Sequence, residues 1–241
     1  MKRLSILAML SVASPALAQT GDGAVLWQSI EEGDTAQEVA DKLAAMPEVK
    51  RAKVTGKADA PKISIRYARN GIEILDETFK ILPQFRSSNL SHIALATDKT
   101  CTVDIEGRYE RLVTAFQAKY PTFINGPYSR SQLSSVKYDA VEDRPSTAST
   151  VMTDGNTVVL FQQTFTRRDP PPRAYSSNKK LKALSDLMAT DYHSYYYACS
   201  QDGRYRVHQL AIYMSKAMYD AEMADAKEAI DGEIGDAADK L

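Results

Sequence analysis

The side chains best suited to chemistry are few. Three histidines (His92, His193, His208) and two cysteines (Cys101, Cys199) stand among 31 acidic residues. A bound metal needs three or four ligands converging at about 2 to 2.5 Å. No HxH or HExxH spacing occurs. If Asp202-Gly203 closes a two-residue hairpin, His208 falls opposite Tyr197, four residues from His193, which is roughly 13 Å along a strand. The two imidazoles then cannot share an ion, so no metal site is expected. There is no GxSxG elbow, no P-loop and no glycine-rich dinucleotide fingerprint, so no catalytic residue and no cofactor is assigned. Neighbouring carboxylates such as Glu31 with Glu32, or Glu73 with Asp76, are read as solvated faces, because a chain so rich in acids places them together by chance.

Two stretches are suited to binding instead. Arg167, Arg168, Arg173, Lys179, Lys180 and Lys182 set six positive charges against Asp169 within sixteen residues, beside Pro170-Pro171-Pro172 and Tyr175. Such a patch suits an anionic envelope surface or an acidic envelope protein, its bland alternative being a solvated loop. Tyr192, Tyr195, Tyr196, Tyr197, Tyr205 and Tyr213 form a second group. Tyrosine joins a large apolar ring to a polar tip and serves recognition surfaces and half-buried sheet alike. The candidate binding residues are therefore Arg167, Arg168, Arg173, Lys179, Lys180, Tyr192, Tyr196 and Tyr213. Formal net charge is -1, and -3 once Lys2 and Arg3 are removed, which argues against a nucleic-acid binder.

That removal is expected because residues 1–18 have the layout of an export signal. Lys2 and Arg3 precede an apolar run over 4–12, and Ala16-Leu17-Ala18 offers the small-residue cleavage pattern before Gln19. The run falls short of the roughly 20 residues that span hydrocarbon, Ser11, Ser14 and Pro15 interrupt it, and no later stretch approaches that length. A mature chain of 223 residues, the full 241 less 18, is expected outside the cytoplasm: periplasmic if the source is Gram-negative, otherwise secreted. In that oxidising setting two cysteines without a CxxC motif or a nearby histidine are expected to form one disulfide, Cys101 to Cys199. A closed loop of ~100 residues is worth on the order of 4 to 5 kcal/mol in the chain-entropy account.

The elements that would position these groups follow from periodicity. Helix is expected over 29–46, where Thr35-x-x-Glu38 is a capping box, Val39, Leu43 and Met46 form the stripe, and Pro47 ends it. Strands are expected over 49–54, 62–67 and 72–75, with Asn70-Gly71 turning between the last two. Further strands over 77–82 and 90–96 are joined near Pro83. Ile105, Tyr109, Leu112, Phe116 and Tyr120 recur at helical spacing. Residues 122–156 read as a long surface connection with a possible short strand, and 157–165 as strand. A helix over 179–189, a hairpin of 191–200 with 204–215, and an acidic helix over 216–241 complete the reading. The expected class is α+β: mainly antiparallel sheet with amphipathic helices packed on one face and one disulfide. It is divided into a lobe at 24–125, a connecting segment at 126–156 and a lobe at 157–241.

The segment Ile30-Glu31-Glu32-Gly33-Asp34-Thr35-Ala36-Gln37-Glu38-Val39 with Leu43, a capped helix followed by strands, resembles the start of small periplasmic modules of the BamE and beta-lactamase-inhibitor-protein type. The resemblance covers about 20 residues and implies short helices on one antiparallel sheet and a role in binding other proteins. A lipobox cysteine is missing, unlike in BamE, and no functional residue transfers. The expectation for function is a non-enzymatic binding or envelope-maintenance protein, the alternative being an envelope hydrolase of unrecognised type.

Overall fold

The computed structural model describes residues 23–133, 146–166 and 205–238. A small ribbon, β1 (Val25–Trp27) with β2 (Ile30–Glu31), leads into α1 (Ala36–Ala44). Thr35 caps that helix in both directions: its Oγ1 accepts from the Glu38 N–H, and the Glu38 carboxylate accepts from the Thr35 N–H at 2.8 Å. The Thr35 N–H and the Thr35 hydroxyl both donate to the Glu38 carboxylate and hold it below its ordinary pKa. Val39, Ala40 and Leu43 are buried, and Lys42 reaches back to Asp34 at 2.8 Å.

Two sheets follow. Among the described residues β3 (Val49–Lys57) pairs with β4 (Ala60–Tyr67) alone, as a two-stranded antiparallel sheet. The remaining strands form an eight-stranded antiparallel sheet. They are β5 (Ile72–Ile74), β6 (Glu77–Arg86), β7 (Asn89–Thr97), β8 (Thr100–Thr102), β9 (Thr122–Asn125), β10 (Ser146–Thr153), β11 (Thr157–Thr166) and β12 (Tyr205–Ser215). The order is β5-β6-β7-β12-β11-β10-β9, with β8 continuing past the end of β7 along β12. Between those two strands the ladder lapses, and the Thr97 hydroxyl accepts the Gln209 N–H at 2.9 Å, so the break leaves no buried donor orphaned.

Strand period sorts the residues between two faces. Phe79, Ile81, Ile93, Leu95, Met152, Val159, Phe161, Phe165, Val207, Ala211 and Tyr213 lie buried on the inner face. The amphipathic helix α2 (Ile105–Gln117) covers it with Ile105, Tyr109, Leu112, Val113 and Phe116. The Phe161 ring sits 5.5 Å from that of Tyr109 and 5.3 Å from that of Phe116, in tilted contacts. Tyr213 meets Phe116 and Tyr120 edge-on. Polar groups on this face are paired across strands: Gln209 Nε2 donates to Gln163 Oε1, and Gln163 Nε2 donates to the Ile105 carbonyl, both at 2.9 Å. Arg108 of α2 forms a two-pronged ion pair with Glu77 at the start of β6, and its Nη1 donates to Thr100. The acidic helix α3 (Lys216–Ala238) leaves directly from β12.

Several expectations are corrected. The class is mostly β, built on an eight-stranded antiparallel sheet, rather than the expected α+β class with mainly antiparallel sheet. The main reason is 122–156, where Thr- and Ser-rich alternation conceals β9 and β10. The disulfide is not among these corrections: Cys101 lies on β8 opposite Arg206 and is disulfide-bonded, while Cys199 lies outside the described residues, as does the expected helix over 179–189. Asn70-Gly71 does not close a hairpin, because β4 pairs back to β3 and β5 forward to β6. Pro83 lies within β6 and not at its turn. The Ile81 N–H, two residues before it, points away from β7 to the Tyr67 hydroxyl, so proline removes a donor the ladder does not use. Residues 191–200, the expected partner of 204–215, lie outside the described residues; β12 has β11 along one side and β7 with β8 along the other.

Two outcomes follow from this core. Arg108→Met should cost roughly 3 to 5 kcal/mol in urea unfolding, because Glu77 is left buried and unpaired; adding Glu77→Leu should recover much of the loss. Burial raises the Tyr109 hydroxyl to about 12. Its folded-state pKa lies above the unfolded value near 10, so its contribution is intact below pH 10 and is lost as pH climbs toward 12. Tyr109→Phe should flatten that alkaline decline in a pH series of melting temperatures.

Candidate binding surface

The β3–β4 hairpin concentrates charge. Between Lys50 and Arg69 the chain carries seven cations and one carboxylate, Asp59. The register sorts them: Ala52 pairs with Ile65 and Val54 with Ile63, giving an apolar side, of which Ala52, Ile63 and Ile65 pack on the core. The intervening pairs, Arg51 with Arg66, Lys53 with Ser64, Thr55 with Lys62 and Lys57 with Ala60, make the opposite side. Arg51, Lys53, Lys57, Lys62 and Arg66 are all exposed there. The strip from Arg51 to Lys57 is ~20 Å long and ~10 Å across two strands.

None of these five cations is ion-paired, whereas Lys42, Lys80, Arg86, Arg108, Arg111, Arg130 and Lys216 each face a carboxylate. Arg51 and Arg66 are directly opposed, and like charges so placed destabilise a sheet. The surrounding structure fixes the strip. Tyr67 at the base of β4 accepts the Ile81 N–H at 2.6 Å, and burial raises its phenol pKa. At the far end Ser88 donates to the Ala58 carbonyl at 2.6 Å. Gly56, at φ +89°, is held 2.7 Å from the Ala60 carbonyl as measured from where a Cβ would lie, so only glycine fits the approach to the turn.

The sequence-derived candidates lie elsewhere. Arg167, Arg168, Arg173, Lys179, Lys180, Lys182, Tyr192 and Tyr196 are outside the described residues, as is His193. Tyr213 is 3% exposed and belongs to the core under α2, where burial raises its phenol pKa, so it presents no binding surface. His92 and His208 share the outer face of the sheet, with pKa values lowered mainly by burial and also by Arg86 and Lys99 respectively. On the β7–β12 register His92 falls opposite Met214, six residues from His208, or ~20 Å along the strand. Among the described residues no three metal-ligating side chains gather.

Two open grooves accompany the strip. One of about 740 Å³ lies among Gly23, Glu31, Glu32, Asp154, Asn156 and Lys216. The other, about 420 Å³, lies between the β6–β7 turn and α3, with Arg86, Leu90, Met218 and Glu222 on its walls. Neither is lined by a hairpin cation. No protein-family model matches the chain, and no curated protein or solved structure was found similar to it.

Sequence reasoning recognised strands over 49–54 and 62–67 but turned the second onto 72–75 at Asn70-Gly71 and did not pair it with the first, and hence missed the strip. The signal was present as a local excess of cations at every second position. Tyr67→Phe should remove the acceptor for a partly buried amide, costing about 1 to 3 kcal/mol. Hydrogen exchange at Ile81 should accelerate more than at its β6 neighbours.

Proposed function

We propose that this is an exported, non-enzymatic protein of the cell envelope that binds an anionic partner through the β3–β4 hairpin. The observation that carries this reading is the strip of five exposed, unpaired cations, Arg51, Lys53, Lys57, Lys62 and Arg66, on one face of a hairpin. A structural purpose would favour interleaved charges of both signs, which gain cross-strand attraction; this face accepts repulsion instead. Such a cost is recovered when an anion arrives, since each cation then has a counter-charge. The overall charge of -1 does not oppose this, because at 0.1 M salt a charge is felt over ~10 Å and the hairpin acts by its own field. Export, with the mature chain beginning at Gln19, rests on the signal-like segment 1–18 and would place the strip among envelope components.

The mature chain should be retained on immobilised heparin, used as a generic polyanion, and should elute as salt is raised. Arg51→Glu combined with Lys53→Glu and Arg66→Glu should elute at markedly lower salt while keeping the wild-type circular dichroism and melting temperature. Equal retention of this variant and the wild type would dismiss the strip as the binding surface.

A further inference from the structure

Resting on that reading, we infer that the anionic partner is the headgroup plane of an anionic phospholipid bilayer, on which the hairpin lies flat. Size is the first argument. A strip of ~20 by ~10 Å offers ~200 Å², while a stable protein partner needs about 800 Å² on each side. The neighbouring surface does not extend it. Glu222 of α3 holds Arg86 at 2.8 Å, and Arg86 lies two residues from Ser88, which holds the hairpin turn. Beside that β6–β7 turn, Glu222 and Asp225 of α3, both exposed, line the groove that holds Arg86 and Ser87. A folded acidic partner would have to match a narrow cationic band bordered by like charge.

A bilayer makes no such demand, because its phosphates cover any area and its lipids move laterally to meet each cation. Shape points the same way. Two paired strands present a flat face, and neither of the two grooves described above is lined by its cations in a way that would embrace a linear polymer. Its exposed side carries Lys, Arg, Thr and Ser, and its turn is Ala58-Asp59; none of these is an apolar wedge that would enter hydrocarbon. Attachment is accordingly electrostatic and reversible. Each basic side chain near an anionic surface is worth about fivefold in partitioning, so five give on the order of 10³-fold at low salt.

The test is sedimentation of the mature chain with phosphatidylcholine vesicles, with and without phosphatidylglycerol, at ~0.1 M and ~1 M salt, where the Debye length falls from ~10 to ~3 Å. Binding is expected only with phosphatidylglycerol and only at the lower salt. Replacing Arg51, Lys53 and Lys62 by Gln should lower partitioning by about 100-fold. The control Lys119→Gln with Lys227→Gln, which removes exposed cations elsewhere, should change it far less. Retention on heparin without binding to phosphatidylglycerol vesicles would overturn the lipid assignment and leave the polyanion reading standing. Failure on both would overturn both. Binding reduced equally by the control pair would assign the attraction to diffuse charge and not to the hairpin.

Discussion

The seam between α2 and the inner face of the sheet, centred on Phe161, is the contact on which the rest of the fold depends. An eight-stranded sheet with an apolar face is not stable in water until something covers that face. Here one helix carries Tyr109 and Phe116 to either side of a single ring. Burying each aromatic side chain is worth about 1.5 to 3 kcal/mol, and each ring pair adds roughly 0.5 to 1.5. Apolar burial is non-directional and would let the helix slide. Polar contacts remove that freedom: the Glu77–Arg108 pair ties α2 to β6, and the Gln163 amide holds the Ile105 carbonyl at the start of the helix. Directional bonds at two places turn a greasy contact into a defined orientation.

With the sheet so fixed, the hairpin is a separate device hung on its rim. β4 lies beside β6 without joining its ladder, and the Tyr67 hydroxyl substitutes for a strand at Ile81. Pro83 then interrupts the donors farther along the same edge. A two-stranded ribbon has two open edges of its own, and lysines along such edges discourage pairing with other chains. Edge protection, however, asks only for charge. It does not ask for charge of one sign on one face, nor for Arg51 opposite Arg66. The apolar half of the hairpin anchors it to the core, and that anchoring lets the other half tolerate repulsion.

How much of this was legible in the sequence depends on range. Local signals read through: Thr35 and Glu38 as a capping box, the 3.6-residue stripe from Ile105 to Phe116, the strands at 77–82, 90–96 and 157–165, and the start of the last helix near Lys216. Pairing did not. Asn70-Gly71 has the composition of a hairpin turn, yet the chain turns at Ala58-Asp59, where Gly56 supplies the positive φ that the alternation alone does not locate. β10 was hidden because Thr and Ser occupy five of its eight positions, and hydroxyl residues weaken the apolar alternation while fitting a pleated sheet well. Tyr213 looked like a recognition residue by type; its burial is decided by α2, more than ninety residues earlier in the chain.

Charge illustrates the same distinction between composition and placement. A net charge of -1 suggests no preference for any charged partner, yet seven cations lie between Lys50 and Arg69 and eight acids between Asp220 and Asp239. Their sum nearly vanishes while their separation does not. The carrier matters as much as the count. On a helix, cations at every second position would point in successive directions 200° apart; on a strand they point the same way. Lys53, Lys57 and Arg51 add their fields on one side only because β3 is extended, and β4 doubles the density by bringing Lys62 and Arg66 to the same face. The hairpin is the cheapest secondary structure that converts a modest local excess of basic residues into a flat, one-sided field, even though the charges of the whole chain nearly cancel.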